Sequence, residues 1–281
     1  MTAMPTTPPP DWRPLADAVR VAPGQTPPLT ADAADNDSLF PAKADGKASV
    51  IDDAVAINAL QDRLYAEGRR ALLVVLQGID TSGKDGTVRE VFNATGPIGV
   101  QVTPFGRPSE EELAHDYLWR IHRAIPRRGM IGIFTRSHYE DVLVVKVRGL
   151  APADEIERRY AQINAFEQHL TENGVTLLKF MLHISKDEQA ERLRARLNEP
   201  DKQWKFNPGD LDDRARWDDF MAAYATMLAR CSTAHAPWHL IPADRKWRRN
   251  AVIARIVRGT LETMNPQPRW PTFDPTTIWV E

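Results

Sequence analysis

Only one cysteine, Cys231, occurs among 281 residues. No disulfide can form within the chain, which fits a reducing compartment. Its neighbours "ARCSTAHAPW" offer no base to activate a thiol, so the residue reads as packing. Long apolar runs are missing as well, and none approaches the ~20 residues a membrane helix needs. The opening "MTAMPTTPPPDWRPL" lacks the basic-then-apolar order of a secretory signal. A cytoplasmic protein without a membrane partner is expected. There is no excess of either charge: 36 Lys and Arg against 38 Asp and Glu leave a formal net charge of -2. Nucleic-acid binders usually carry a basic surplus, so that partner is disfavoured, though a balanced total can still hide a local basic cleft.

What is present is the makeup of an ordinary globular chain, 42% hydrophobic and 26% charged, long enough for one large α/β domain or two small ones. Residues 1–48 are rich in proline, alanine and aspartate and show little hydrophobic period. "PTTPPP" should be extended, and this arm is expected to be partly disordered or to drape over the domain or a neighbouring subunit. From Ser49 the pattern changes. Ile57, Leu60 and Leu64 form a helical stripe that Ala54 extends backward and Gly68 closes. Continuous apolar runs of strand length follow at 71–77, 99–105, 130–134, 175–184 and 237–243. Helical patterns lie between them, at about 84–95, 109–124, 138–149, 154–173, 187–198, 211–230 and 246–264. Strands alternating with helices predict a single domain, 49–281, with a five-stranded parallel sheet covered on both faces. Its ligand should lie at the carboxyl ends of the strands. Two helices joined by "NEPDKQWKFNPGD" interrupt the rhythm before the last strand and read as a lid at about 187–230.

The stretch "GIDTSGKDGT" sits between a buried strand and a helix, where a phosphate loop belongs. Gly78 and Gly83 let backbone N–H groups turn inward, the helix start adds its dipole, and Lys84 can reach terminal phosphate oxygens. Gly86 and Thr87 complete the candidate phosphate-binding set. The residue after lysine is Asp85, where the common loop carries a serine or threonine. With Asp80 it puts two carboxylates beside phosphate, which calls for an intervening cation such as Mg²⁺. Asp85 has a plainer alternative, capping the helix start.

Further along, Ser109 and Glu112 make a capping box. Arg107, Arg120 and Arg123 are candidates to face a nucleotide or a phosphate chain, with Asp116 as an alternative partner for Arg120. His115 and His138 have no cysteine or second histidine at zinc-ligand spacing and read as structural or substrate-orienting. Trp204, Trp217, Trp238 and Trp247 read mostly as packing. Asp244 and Lys246 fall at the end of the last strand, near the site.

Together, "LQGIDTSGKDGT", "FGRPSEEELAHDYLWRIHR", "GIFTRSHYEDVLVVKV" and "HAPWHLIPADRKW" closely resemble the family 2 polyphosphate kinases, over about residues 50–265. Among them the chain looks most like the group accepting both AMP and ADP. The resemblance implies a three-layer P-loop kinase fold like that of thymidylate kinase, with a helical lid. It also implies Mg²⁺ dependence, with Mn²⁺ as the second choice, and reversible transfer between inorganic polyphosphate and adenine nucleotides, with guanine as a further base. Family members usually form dimers or tetramers. Carried over by motif, Gly78, Asp80, Gly83, Lys84, Asp85 and Gly86 match the phosphate loop, and Arg136 matches an arginine that contacts the reacting phosphates. Glu140 and Asp141 match the acidic pair of the AMP-accepting group. Arg192 and Arg196 match lid arginines able to swing onto substrate, and Lys202 and Lys205 match the turn after them. Lys246 is a further phosphate-binding candidate. Relatives carry Asp or Asn just before the arginine of "RSHYED", whereas this chain has Thr135, which leaves Asp80, Asp85 or Glu140 to hold the metal. An ATP-dependent small-molecule or nucleotide kinase of the same fold, and a catalytically silent nucleotide-binding module, are the competing readings.

Overall fold

A computed structural model of the protein describes residues 11–40, 42–269 and 272–280. The chain runs α1 (Arg13–Val19), α2 (Ala31–Ala34), α3 (Lys43–Glu67), β1 (Ala71–Gln77), α4 (Lys84–Val91), β2 (Val100–Pro104), α5 (Glu110–Leu113), α6 (Trp119–Ala124) and β3 (Ile131–Thr135). It continues through α7 (Val144–Val147), α8 (Ala153–Glu172), β4 (Val175–His183), α9 (Lys186–Asn198), α10 (Gly209–Ala215), α11 (Trp217–Cys231), β5 (Trp238–Pro242) and α12 (Lys246–Met264).

All five strands are parallel, in the order β2-β3-β1-β4-β5. The seven residues of β1 are all buried, as a central strand covered on both faces requires. Helices α3, α4 and α12 pack together as one layer, and α8 and α11 belong to another. From β1 the chain fills one side of the sheet and then crosses to the other for β4 and β5. The crevice at that reversal opens at the carboxyl end of β1, where the phosphate loop lies. Among the described residues no helix is long and apolar enough to cross a membrane.

The expected stripe holds: Ala54, Ile57, Leu60 and Leu64 are buried, and Gly68 closes α3 with φ 61° and its N–H on the Leu64 carbonyl. The helix starts earlier than the sequence suggested, at Lys43. Residues 11–40 drape over β5 and α12, while "PTTPPP" lies outside the described residues. Ala16, Val19 and Val21 enter the core. Arg20 bridges His239 in antiparallel fashion, and the Val21 N–H bonds the Trp238 carbonyl at 2.9 Å. This covers part of the outer edge of β5, an edge that would otherwise offer unpaired backbone groups.

Two predicted helices are broken. The 109–124 pattern splits into α5 and α6 because the Asp116 carboxylate accepts the Leu118 N–H at 2.9 Å, a side-chain bond that competes with helix continuation. The 138–149 pattern becomes a 3₁₀ turn, His138–Val142, followed by the short α7. Buried contacts of His138 and Tyr139 with Glu167 draw that turn onto α8.

Candidate active site

The loop after β1 is shaped by glycine. Gly78 adopts φ 151°, and a Cβ there would meet the Leu182 carbonyl oxygen at 2.6 Å. Gly83, with φ 101°, is the residue from which α4 starts, and a Cβ there would lie 1.9 Å from an Arg249 guanidinium nitrogen. At the site Thr81 (φ 69°) and Arg136 (φ 62°), neither a glycine, also take left-handed backbone. Such strain persists only where surrounding contacts fix it, and it concentrates at functional sites. For Arg136 those contacts are its N–H on the Leu76 carbonyl (3.0 Å) and an ion pair with Asp80.

The loop borders a cleft of about 500 Å³, lined by eight cationic side chains and two carboxylates, Asp80 and Asp85. Lys84 is half-buried, its ammonium drawn onto the carbonyls of Gly78 (2.6 Å) and Ile79 (3.4 Å). Burial and then Arg136 lower its pKa to about 8, partly offset by Asp80, Glu140 and Asp85. Burial alone would raise the Asp80 pKa, but Lys84 and Arg136 outweigh it and the group stays ionised at lower pH than usual. Glu140 goes the other way, because burial dominates over Arg136 and Lys84. The Thr81 hydroxyl lines the cleft, buried and without a hydrogen-bond partner among the described residues.

Several candidates converge here: Asp80, Gly83, Lys84, Asp85, Gly86, Arg136, Arg192, Arg196, Lys202, Lys205 and Lys246 all line the cleft. Others stand apart. Gly78 shapes the loop, and the Thr87 hydroxyl is spent on the Gly83 carbonyl at 3.2 Å. Arg107 is exposed outside the cleft, and Arg123 stacks on Trp119 at 4.5 Å. Arg120 is buried against the Gly106 carbonyl (3.0 Å) and Glu112 (3.6 Å), not Asp116. Asp141 pairs with Arg159 at 3.3 Å, and burial raises its pKa to about 6. Both border a second pocket of about 700 Å³ beyond Pro108. Trp204, expected to pack, is 78% exposed.

Arg192 differs most from expectation. It is 8% exposed and every donor is engaged: Glu188 (2.6 Å), the carbonyls of Thr81 (2.9 Å) and Ser82 (3.1 Å), and those of Ala243 (2.7 Å) and Asp244 (3.0 Å). It braces the phosphate loop against the end of β5 rather than swinging on a lid. Arg196 is the more accessible of the two, held by Asp210 at 3.0 Å.

Sequence reasoning missed Arg249, one turn beyond Lys246 on α12. It is 2% exposed, donates to the Ser82 carbonyl at 3.0 Å and to Asn250 Oδ1, and has no carboxylate partner among the described residues. Its spacing from Lys246 was the available signal. Also missed was the buried support of the "SHYED" turn. Lys179 donates to Glu167 (2.6 Å), to Tyr139 Oη (2.8 Å) and to the Cys231 carbonyl (2.7 Å), and Glu167 accepts from Tyr139 at 2.7 Å. That network fixes the turn that carries Glu140 and Asp141.

Among the described residues no group of three His, Cys, Asp or Glu is arranged as a metal cage. Glu140 does not line the cleft. Magnesium commonly uses one or two carboxylates and completes its shell with substrate oxygens and water. Asp80 and Asp85, with the Thr81 and Thr135 hydroxyls, supply such hard oxygen donors in the cleft.

A family model for polyphosphate kinase 2 (PPK2) matches residues 41–269. The chain is 50% identical over 230 residues to a protein of Meiothermus ruber named AMP/ADP-polyphosphate phosphotransferase, covering 79% of this chain and 86% of that one. It is 41% identical over 220 residues to an ADP-polyphosphate phosphotransferase of Rhodopseudomonas palustris, covering 74% and 76%. The crystal structure of polyphosphate kinase 2 from Arthrobacter aurescens TC1 superposes with a TM-score of 0.89 at 44% identity, over 93% of this chain and 94% of that one. Loop, cleft and likeness agree, and this chain belongs to the polyphosphate kinase 2 family.

Proposed function

We propose that the enzyme transfers a phosphoryl group from inorganic polyphosphate to AMP and ADP. The carrying observation is the charge of the cleft, eight cations against two carboxylates. Beyond its glycines, the apolar residues in the described lining are Pro104, Phe105 and Ala195, a makeup that suits a chain of phosphates better than an adenine ring.

A terminal phosphate oxygen of the acceptor attacks the last phosphorus of the donor in line. The bond to the donor chain breaks, leaving a polyphosphate one unit shorter. Both reactants are already ionised, so no general base is required, and catalysis is alignment plus charge neutralisation. Amides at the start of α4 hold donor oxygens, and phosphate competes with the Gly78 carbonyl for the Lys84 ammonium. Arg136, just after β3, and Arg196, on α9, both line the cleft and would bear on the moving group. Magnesium, when bound, would be held by Asp80 and Asp85 and would neutralise phosphate charge. The pocket beyond Pro108, with Tyr117, Arg120, Asp141 and Arg159, has the mixed polar and aromatic lining an acceptor nucleotide needs.

The test combines purified protein, Mg²⁺, long-chain polyphosphate and AMP without ATP, and follows ADP and ATP. Product formation is expected. Turnover with ATP as donor but none with polyphosphate would replace this function with that of an ordinary nucleotide kinase.

A further inference from the structure

A third cleft, of about 910 Å³, opens between the amino-terminal ends of α3 and α12. Gly86, Lys246 and Arg249 border both it and the phosphate cleft, so the two spaces meet over the start of α4. Lys43 and Lys47 line its far side, four apart on α3 and therefore on one helix face. Both are exposed, and among the described residues neither is engaged in an ion pair.

The other charges of this cleft are largely committed. Arg245 and Arg248 share a single carboxylate, Asp35, at 2.8 and 2.7 Å, so this trio keeps one net positive charge. Glu188 is tied to Arg192, and Asp244 Oδ1 accepts the Ser185 N–H at 2.8 Å. That leaves Lys43, Lys47, Lys246 and Arg249 facing two acids, Glu90 and Asp244, that have no ion-pair partner among the described residues. Arg249 marks the junction, a nearly fully buried guanidinium without a carboxylate, which is costly unless an anion serves it. Burial, then Arg192, lowers its pKa; Lys246 is lowered by burial, then Arg192, with Lys202 and Arg249 adding to the shift. The arm explains why the lysines sit here: Arg248 Nε donates to the Phe40 carbonyl at 3.1 Å, fixing the chain just before α3.

We infer that this cleft is a distal subsite for the donor, where a long polyphosphate whose end lies on the phosphate loop passes over Gly86 and Arg249 to rest between Lys43, Lys47 and Lys246. The subsite rests on the polyphosphate reading of the phosphate cleft. It gives the enzyme a preference for chain length, because a short donor fills the phosphate cleft alone.

Calorimetric titration of the full-length protein with long-chain polyphosphate and with tripolyphosphate, both with Mg²⁺, tests this in the parent and in Lys43→Glu/Lys47→Glu. Both lysines are exposed, so the fold should tolerate the change. The Kd for the long chain should weaken about tenfold, the sum of two modest ion contacts. The Kd for tripolyphosphate should stay within about twofold. An unchanged long-chain Kd, or an equal loss with both donors, would overturn the subsite. A parent that binds neither donor would overturn the polyphosphate reading itself.

Discussion

Lys84 should make the enzyme alkali-sensitive well below the range of an ordinary lysine. Its pKa is lowered to about 8, first by burial of the ammonium under the loop and then by Arg136. The alkaline limb of kcat/KM reports the free enzyme, so kcat/KM for polyphosphate should begin to fall near pH 8. If the neutral amine cannot hold phosphate, about one-tenth of the molecules remain competent at pH 9, a loss of about tenfold. A lysine at its usual pKa near 10.4 would lose less than about a tenth of its charge there. The sign follows from charge: deprotonation removes an attraction for the donor, so activity falls as pH rises. Bound phosphate favours the ammonium, so the limb in kcat should lie higher than that in kcat/KM. Initial rates of ADP formation from AMP, at constant ionic strength between pH 6.5 and 9.5, would show it. Lys84→Arg is the control, because a guanidinium keeps its charge throughout that range. Whatever its activity, this variant should have no limb near 8. A flat parent profile to pH 9.5, or a limb retained in Lys84→Arg, would refute the reasoning.

Three other outcomes follow from the contacts. Arg192→Ala removes a buried brace serving four carbonyls and should cost about 3 kcal/mol in urea unfolding, whereas Arg196→Ala should lower kcat by about 10³-fold with little change in stability; the reverse pattern would restore Arg192 as the mobile arginine. Glu167→Ala leaves the fully buried Lys179 uncompensated and should cost about 3–5 kcal/mol, while Glu167→Ala/Lys179→Met should cost clearly less; equal losses would deny the pair its coupling. His239, 3% exposed, has its pKa lowered to about 4 by burial, so the unfolded chain takes up a proton first. About 3 kcal/mol of stability should be present above pH 6.5 and lost as pH falls toward 4, and His239→Gln should flatten that part of the stability profile.

Much of the architecture was legible because its signals are local. Four of the five strands appear in sequence as bounded apolar runs, while the edge strand β2, VQVTP, is mixed in polarity and has no buried residue, and the loop stands where strand gives way to helix. The capping box of Ser109 and Glu112 forms as read. What escaped depends on partners far along the chain. Whether Arg192 is a finger or a brace depends on Ala243 and Asp244, some fifty residues away. The break between α5 and α6 needed one Asp116 hydrogen bond to be weighed against a good helical pattern. Arg249 looked like one of several basic residues in α12 until the fold set it against Gly83 and Ser82. The arm left partial disorder and draping open, and Ala16, Val19 and Val21 find apolar surface beside β5 and α12 that no local pattern announces.

The most direct trial is a crystal soaked with Mg²⁺ and a short polyphosphate, read for where the anion lies. Density in the turn between β1 and α4, with the Lys84 ammonium moved from the Gly78 carbonyl onto a phosphate oxygen, is the expected result. An ordered anion bound elsewhere, with that turn empty and Lys84 still on Gly78, would contradict it.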